Sequence, residues 1–245
     1  MSLSADDIRW NDFPILAQLD ARTQSVLRAY KRRLIDIAVP HGFVGRSTVR
    51  SLDTFHLADS LELLRILDGF PQHGRSLRIA DVGTGAGLPG IPLAIARPSM
   101  SFYLIESRKR RCCFLQDTIE DLNLVNAKVV HMRGESAGRD RALREHFDLV
   151  TARALSITST ALEITLPLCR VGGSVALFKT ETQIPATKAA IVVANRLGGT
   201  LSSFHRYDLP ELVHPRVIAI FNKQVATPSD FPRRPGVPER RPLAE

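Results

Sequence analysis

Cysteine is scarce in this 245-residue chain, and the three that occur, Cys112, Cys113 and Cys169, frame no disulfide scaffold and show no zinc-ligand spacing. No metal is expected, and the compartment reads as reducing. Long apolar runs are missing too: no stretch reaches membrane-spanning length and no charged-then-apolar leader opens the chain, so the expectation is a cytoplasmic protein with no membrane partner. There is no Gly-x-Ser-x-Gly elbow, no His-Glu-x-x-His and no cysteine–histidine signature, which argues against hydrolase and metalloprotease chemistry. Acidic residues fall short of basic ones, 25 against 33, and the net charge of +8 favours an anionic partner, nucleic acid being the commonest. What is not scarce is core material, since 44% hydrophobic residues suffice for one large domain or a domain with an extension.

The richest stretch is Leu77 to Gly90, LRIADVGTGAGLPG. Leu77, Ile79, Ala80 and Val82 read as a short buried strand, Gly83, Gly85 and Gly87 let the backbone turn tightly beside a ligand, and Pro89 suits the first turn of a following helix. A dinucleotide fingerprint needs glycine at the sixth place of GxGxxG, where this chain has Leu88. The pattern is instead Asp-x-Gly-x-Gly-x-Gly, with Asp81 at the carboxyl end of the strand. A carboxylate there repels a pyrophosphate and suits a cationic ligand such as S-adenosylmethionine, which carries an ammonium and a sulfonium. Phe102-Tyr-Leu-Ile-Glu106 reads as the next strand, ending on a second acid placed to accept hydrogen bonds from ribose hydroxyls. A merely structural glycine turn would not explain acids at the ends of two successive strands.

Helical spacing over Phe13 to Val39 (Leu16, Leu19, Val26, Leu27, Tyr30, Leu34, Ile37) predicts an amphipathic helical arm, and Asp53 to Leu67 a second helical run, broken by Gly69, Pro71 and Gly74. Residues 1–75 are thus expected to form a helical segment and 76–226 the catalytic domain. In that domain the predicted helices are Arg108 to Leu122, Ile157 to Leu168 and Pro185 to Leu197. The predicted strands are Lys128 to His131, Phe147 to Thr151, Gly173 to Phe178 and a final antiparallel pair, Thr200 to Tyr207 with Arg216 to Phe221. Residues 227–245 carry five prolines and two arginine pairs, and are expected to stay non-helical, as a solvated tail or as a basic arm on a phosphate backbone.

These motifs together resemble the bacterial small-subunit ribosomal RNA guanine-N7 methyltransferases, the family also called glucose-inhibited division protein B or RsmG. The matching pieces are His56-Leu-Ala-Asp-Ser-Leu61, Asp81 through Leu93, Glu106-Ser107, Arg133-Gly-Glu135, Phe147 through Ala154, Pro167-Leu168 with Gly172-Gly173, and Thr227-Pro through Pro242-Leu243. The resemblance implies a class I S-adenosylmethionine-dependent methyltransferase: an α/β, Rossmann-like, mostly parallel seven-stranded sheet with an antiparallel edge, behind an N-terminal helical extension. It further implies a monomer acting on N7 of a guanine in a loop of 16S ribosomal RNA, naked or in the small ribosomal subunit. Carried over, the cofactor contacts are Gly83, Leu88, Gly134 with Glu135, and Arg153, with Glu106 at the ribose; Asp81 and Gly85 join them from the loop pattern.

Two departures bear on the substrate side. Where the family carries a Trp-Asn pair and an Asn-Leu-Thr run, this chain reads Ile35 through Arg46, and the family's Leu-Lys-Gly is Phe178-Lys-Thr180 here. Guanine N7 already holds a lone pair, so positioning supplies most of the catalysis and no general base is required; Arg153 and Lys179 are the candidate catalytic residues. His56 and Asp59 share a helix face and read first as docking residues, with RNA contact second. The Lys109-Arg110-Arg111 run reads equally as a solvated face or an RNA-facing patch. A paralogue with altered RNA specificity, a non-catalytic RNA-binding or assembly protein, and an NAD(P)-dependent oxidoreductase are the competing readings.

Overall fold

The structure is a computed structural model and describes residues 10, 13–70, 76–210, 212 and 214–243. Pro71 and Gly74, expected to break the second helical run, lie outside the described residues. Seven strands, β1 (Arg78–Val82), β2 (Ser101–Glu106), β3 (Ala127–His131), β4 (Phe147–Arg153), β5 (Cys169–Thr180), β6 (Gly199–Tyr207) and β7 (Arg216–Lys223), form one sheet in the order β3-β2-β1-β4-β5-β7-β6. β1 to β5 run parallel and β7 is antiparallel to both neighbours, as expected from the absence of a full crossover helix before it. Ile79, Ala80, Val82, Leu149 and Val150 are buried because both faces of the sheet are covered.

The helices are α1 (Pro14–Ala17), α2 (Ala21–Arg33), α3 (Asp59–Leu61), α4 (Leu64–Leu67), α5 (Gly90–Ala96), α6 (Lys109–Asp121), α7 (Gly134–Ala137), α8 (Thr158–Thr165), α9 (Ile184–Ala189), α10 (Ile191–Arg196) and α11 (Val237–Arg240). The predicted N-terminal arm is not one rod. Asp20, whose carboxylate accepts from the Thr23 amide at 2.9 Å, caps a new helix there, and α2 then widens into a π-helical turn over Leu34–Ala38. A second π-helical stretch, Leu52–Ala58, leads into α3. These pieces pack with α5 and α6 on one face of the sheet, in a core containing Leu27, Tyr30, Leu57, Ile91 and Phe114. On the other face Leu162, Val193, Phe231 and Leu243 join α8, α10 and the carboxy-terminal segment in a second core.

That last segment departs from expectation. It is neither a solvated tail nor wholly without helix, since one α-helical turn forms at Val237–Arg240, with Pro238 in its first turn, and Phe231 and Leu243 are buried. Arginines elsewhere in the chain provide the reason. Arg144 donates to the carbonyls of Thr227 and Phe231 at 2.7 Å each, and Arg139 donates to those of Pro232 at 2.6 Å and Asp230 at 2.9 Å. Carbonyls that a proline-rich strand cannot satisfy internally are thereby paired.

Candidate functional site

Parallel topology brings the carboxyl ends of β1, β2, β4 and β5 to one edge, where ligands sit in open α/β sheets. An open cleft lies there, bounded by Val82 and Gly83 at the end of β1, Glu106 and Ser107 at the end of β2, Met132 to Glu135 after β3, Leu155 and Ser156 after β4, and Thr160 and Ile164 of α8. Of the sequence-predicted residues, Gly83, Glu106, Gly134 and Glu135 meet in this cleft.

Two of those glycines are required by space. A Cβ on Gly83, whose φ is +70°, would stand 2.6 Å from Leu155 Cδ1, and one on Gly134 would stand 2.4 Å from Ile164 Cγ2. Both glycines border the cleft, and the side chains of Leu155 and Ile164 fill the space that a Cβ there would need. Between them Glu106, 4% exposed, accepts from the Gly85 amide at 3.1 Å and the Arg108 amide at 2.8 Å, with Arg111 Nη1 at 3.7 Å. Gly85 thus serves the site by fixing this carboxylate.

Asp81 lies beneath the loop and is not on the cleft wall; it is 1% exposed. Its Oδ2 accepts from Thr84 Oγ1 at 2.6 Å and from the Gly90 amide at 2.8 Å, tying the two ends of the glycine loop together, while Oδ1 is buried with no hydrogen-bond partner. Burial pushes its carboxyl up to about 6 against the pull of those two bonds and of the Arg153 charge. An orphaned anionic oxygen behind a glycine loop fits a cationic ligand arriving at that loop. Leu88 is also buried, its amide donating to Thr84 O at 3.0 Å, and it shapes the loop from within.

Arg153 projects from the end of β4, as expected, but turns toward the helical layer. Nη1 donates to Phe55 O at 2.9 Å and Asp59 Oδ2 at 3.1 Å, and Nη2 donates to His56 Nδ1 at 3.0 Å. Asp59, fully buried, also accepts from Tyr207 OH at 2.7 Å and Arg216 Nε at 3.0 Å. His56 is pushed down to about 3 by burial and by the Arg153 charge, so its ring is neutral with Nδ1 accepting; the proton on Nε2 faces Thr48 Oγ1 at 3.0 Å. The docking reading of His56 and Asp59 is what the geometry shows. Lys179 is buried near the same edge, its Nζ 3.5 Å from the carbonyl of Ser156, a cleft residue, and burial lowers its pKa.

Three contributors carry no legible signal in the sequence. Tyr30 donates from α2 to Ala86 O at 2.8 Å, so the helical layer grips the glycine loop directly. Leu155, with Ala154 before it at a φ of +53°, covers Gly83. Glu239 reaches the cleft from the carboxy-terminal segment.

The family described as "GidB: rRNA small subunit methyltransferase G" matches residues 23–207. A ribosomal RNA small subunit methyltransferase G from Carboxydothermus hydrogenoformans is 41% identical, over 68% of this chain and 71% of its own. One from Leuconostoc citreum is 40% identical, over 77% of this chain and 78% of its own. A SAM-dependent O-methyltransferase structure from Thermotoga maritima superposes with a TM-score of 0.52 at 14% identity, covering 73% of this chain and 70% of that one, a likeness of fold. With this identity, this coverage and this site, the chain belongs to the GidB family, the small-subunit ribosomal RNA methyltransferases G.

Proposed function

We propose that this protein uses S-adenosylmethionine to methylate N7 of a guanine in a loop of 16S ribosomal RNA, acting as a cytoplasmic monomer on the RNA or on the small-subunit particle. Among the described residues no helix is long and apolar enough to cross a membrane. The observation that carries the reading is the juxtaposition of Glu106, a glycine-lined cleft and the orphaned Asp81 oxygen at one sheet edge. Family membership adds the class of acceptor. Residues 1–75, 76–226 and 227–245 are our working division into helical layer, methyltransferase domain and carboxy-terminal segment.

When bound, S-adenosylmethionine supplies an electrophilic methyl carbon on a sulfonium. Glu106 is held by the Gly85 and Arg108 amides so that its carboxylate can accept from the ribose hydroxyls. The backbone at Gly83 and at Gly134 with Glu135 lines the cleft and would border the bound donor. Asp81 stabilises the loop and places negative charge behind it. Arg153 acts through the helical layer that it pins, which would form the acceptor side of the site, and Lys179 holds the Ser156 turn. Guanine N7 needs no deprotonation, so orientation of the two reactants, worth up to about 7–11 kcal/mol in favourable cases, is the contribution asked of these residues.

Calorimetry and mass mapping test the reading. Wild-type protein should bind S-adenosylmethionine, and Glu106→Ala should weaken it at least tenfold. Small-subunit RNA from cells lacking the gene should lack one N7-methylguanine. Tight NADH binding without S-adenosylmethionine binding would return the chain to the oxidoreductase reading, and donor binding with no RNA mark would leave a non-catalytic assembly protein.

A further inference from the structure

The carboxy-terminal segment passes beside the cleft at Glu239, held by specific hydrogen bonds. Arg233 donates from its backbone amide and Nε to Glu163 Oε1 at 2.9 and 2.8 Å, and from Nη2 to Oε2 at 2.6 Å; Glu163 is fully buried in α8. Thr160 Oγ1, from the same helix, donates to Pro238 O at 2.9 Å. The Gly236 amide donates to Glu135 Oε1 at 2.7 Å, so a cleft residue is itself bonded to the segment. These three anchors bring Glu239 onto the cleft wall. Glu239 is exposed and has no ion pair or side-chain hydrogen bond among the described residues.

We propose that the carboxy-terminal segment is one wall of the donor site and that Glu239 is a binding residue for the nucleobase of the methyl donor. The inference rests on the methyl-donor reading of the cleft. With Glu106 at the ribose, the base would lie toward Met132, Gly134 and Glu135, where Ile164 supplies an apolar side chain and the partly exposed Met132 a flexible one for a purine face. A carboxylate at that end accepts hydrogen bonds only. The adenine exocyclic amine is a donor and matches it; a base carrying a carbonyl oxygen at the same place does not.

The test uses the full-length protein, with S-adenosylhomocysteine and S-inosylhomocysteine as probes, the second replacing the exocyclic amine by oxygen. Wild type should prefer the adenosyl compound about tenfold or more. Glu239→Ala should lose most of that preference with an unchanged melting temperature, and Glu239→Gln, whose amide can accept from the amine or donate to the inosine oxygen, should lose the preference while keeping most of the affinity for the adenosyl compound. Hydrogen exchange supplies a second readout, because the Gly236 amide should gain protection when S-adenosylhomocysteine binds. Equal affinities of wild type and Glu239→Ala for both probes, with no change in Gly236 protection, would overturn the proposal. Failure of wild type to bind either probe or S-adenosylmethionine would instead sink the methyl-donor reading on which it rests.

Discussion

Asp59 and Asp81 are both sealed from water, at 0% and 1% exposure, one in the helical layer and the other beneath the glycine loop. Around Asp59 the chain supplies two guanidinium groups and a phenol, so each carboxylate oxygen has a charged donor. Around Asp81 it supplies a hydroxyl and one amide, both to the same oxygen, and leaves the other bare. Arg153 stands between the two regions, bonded to Asp59 and acting on Asp81 only as a nearby charge. A fully partnered buried carboxylate is architecture. One buried with an oxygen unpaired carries an uncompensated cost, which a cation placed nearby would lower.

The largest effect should come from breaking the satisfied member. Asp59→Ala leaves Arg153 and Arg216 facing each other without an anion, a change that typically costs about 3–5 kcal/mol. In a chain of this size that lowers the melting temperature by roughly 10 °C. Because Asp59 joins the helical layer to the ends of β4, β6 and β7, the loss should appear as one cooperative shift in thermal unfolding. A shift of a degree or two would mean that apolar packing alone seats the layer.

Asp81→Asn should act in the opposite sense. A folded-state pKa near 6 against an ordinary 3.8 means that the neutral form is favoured by folding. That stabilisation is fully present below about pH 4 and is lost as pH rises through 6, a change on the order of 3 kcal/mol. Asparagine can keep its oxygen toward Thr84 and Gly90 without the buried charge, so the ligand-free variant should match or exceed wild type in stability at pH 7. Its affinity for S-adenosylmethionine should fall severalfold. Denaturant titrations at pH 4.5 and 7 check this: parallel pH slopes for the two proteins would show that Asp81 carries no ionisation strain.

The same contrast explains what could be read from the residues alone. The strand–loop–strand around Asp81 is local: apolar runs, glycines and acids lie within thirty or so positions, and periodicity with turn chemistry reveals β1, the loop, α5 and Glu106 together. The antiparallel edge was legible for a similar reason, two strands with too little between them for a crossover. Asp59's partners lie 94 to 157 positions away in sequence, and no spacing rule connects residues that distant. The place of Arg153 at the end of β4 is legible, but that place does not say which way its guanidinium turns. The carboxy-terminal segment failed on the same ground. Prolines and arginines read locally as a solvated tail or a basic arm, whereas Arg139, Arg144 and the buried Glu163 hold the segment from elsewhere in the chain. The broken α1–α2 arm shows the limit in reverse, since an apolar stripe persists across the Asp20 cap and periodicity is blind to the new start.

The smallest effect, and the finest test of the Asp59 region, is at His56. Its neutral ring accepts from Arg153 at 3.0 Å, and its pKa near 3 lies well below the ordinary 6.5. Below pH 6.5 the unfolded chain takes up a proton that the folded ring refuses until about pH 3, so stability present above 6.5 drains away as pH falls through that window. His56→Gln keeps an acceptor for Arg153 without a titrating group. At pH 7.5 it should cost no more than about 1 kcal/mol, the scale of one hydrogen bond, and by pH 5 the deficit should shrink or reverse. Equal pH slopes in wild type and variant would show that the ring ionises freely in place. His56 thus penalises acid while Asp81 penalises base, and the two overlap between pH 4 and 6. Only the Asp81 side can be relieved by a cation in the cleft. Saturating S-adenosylmethionine should therefore raise wild-type stability more at pH 7 than at pH 5, and leave the slope due to His56 untouched.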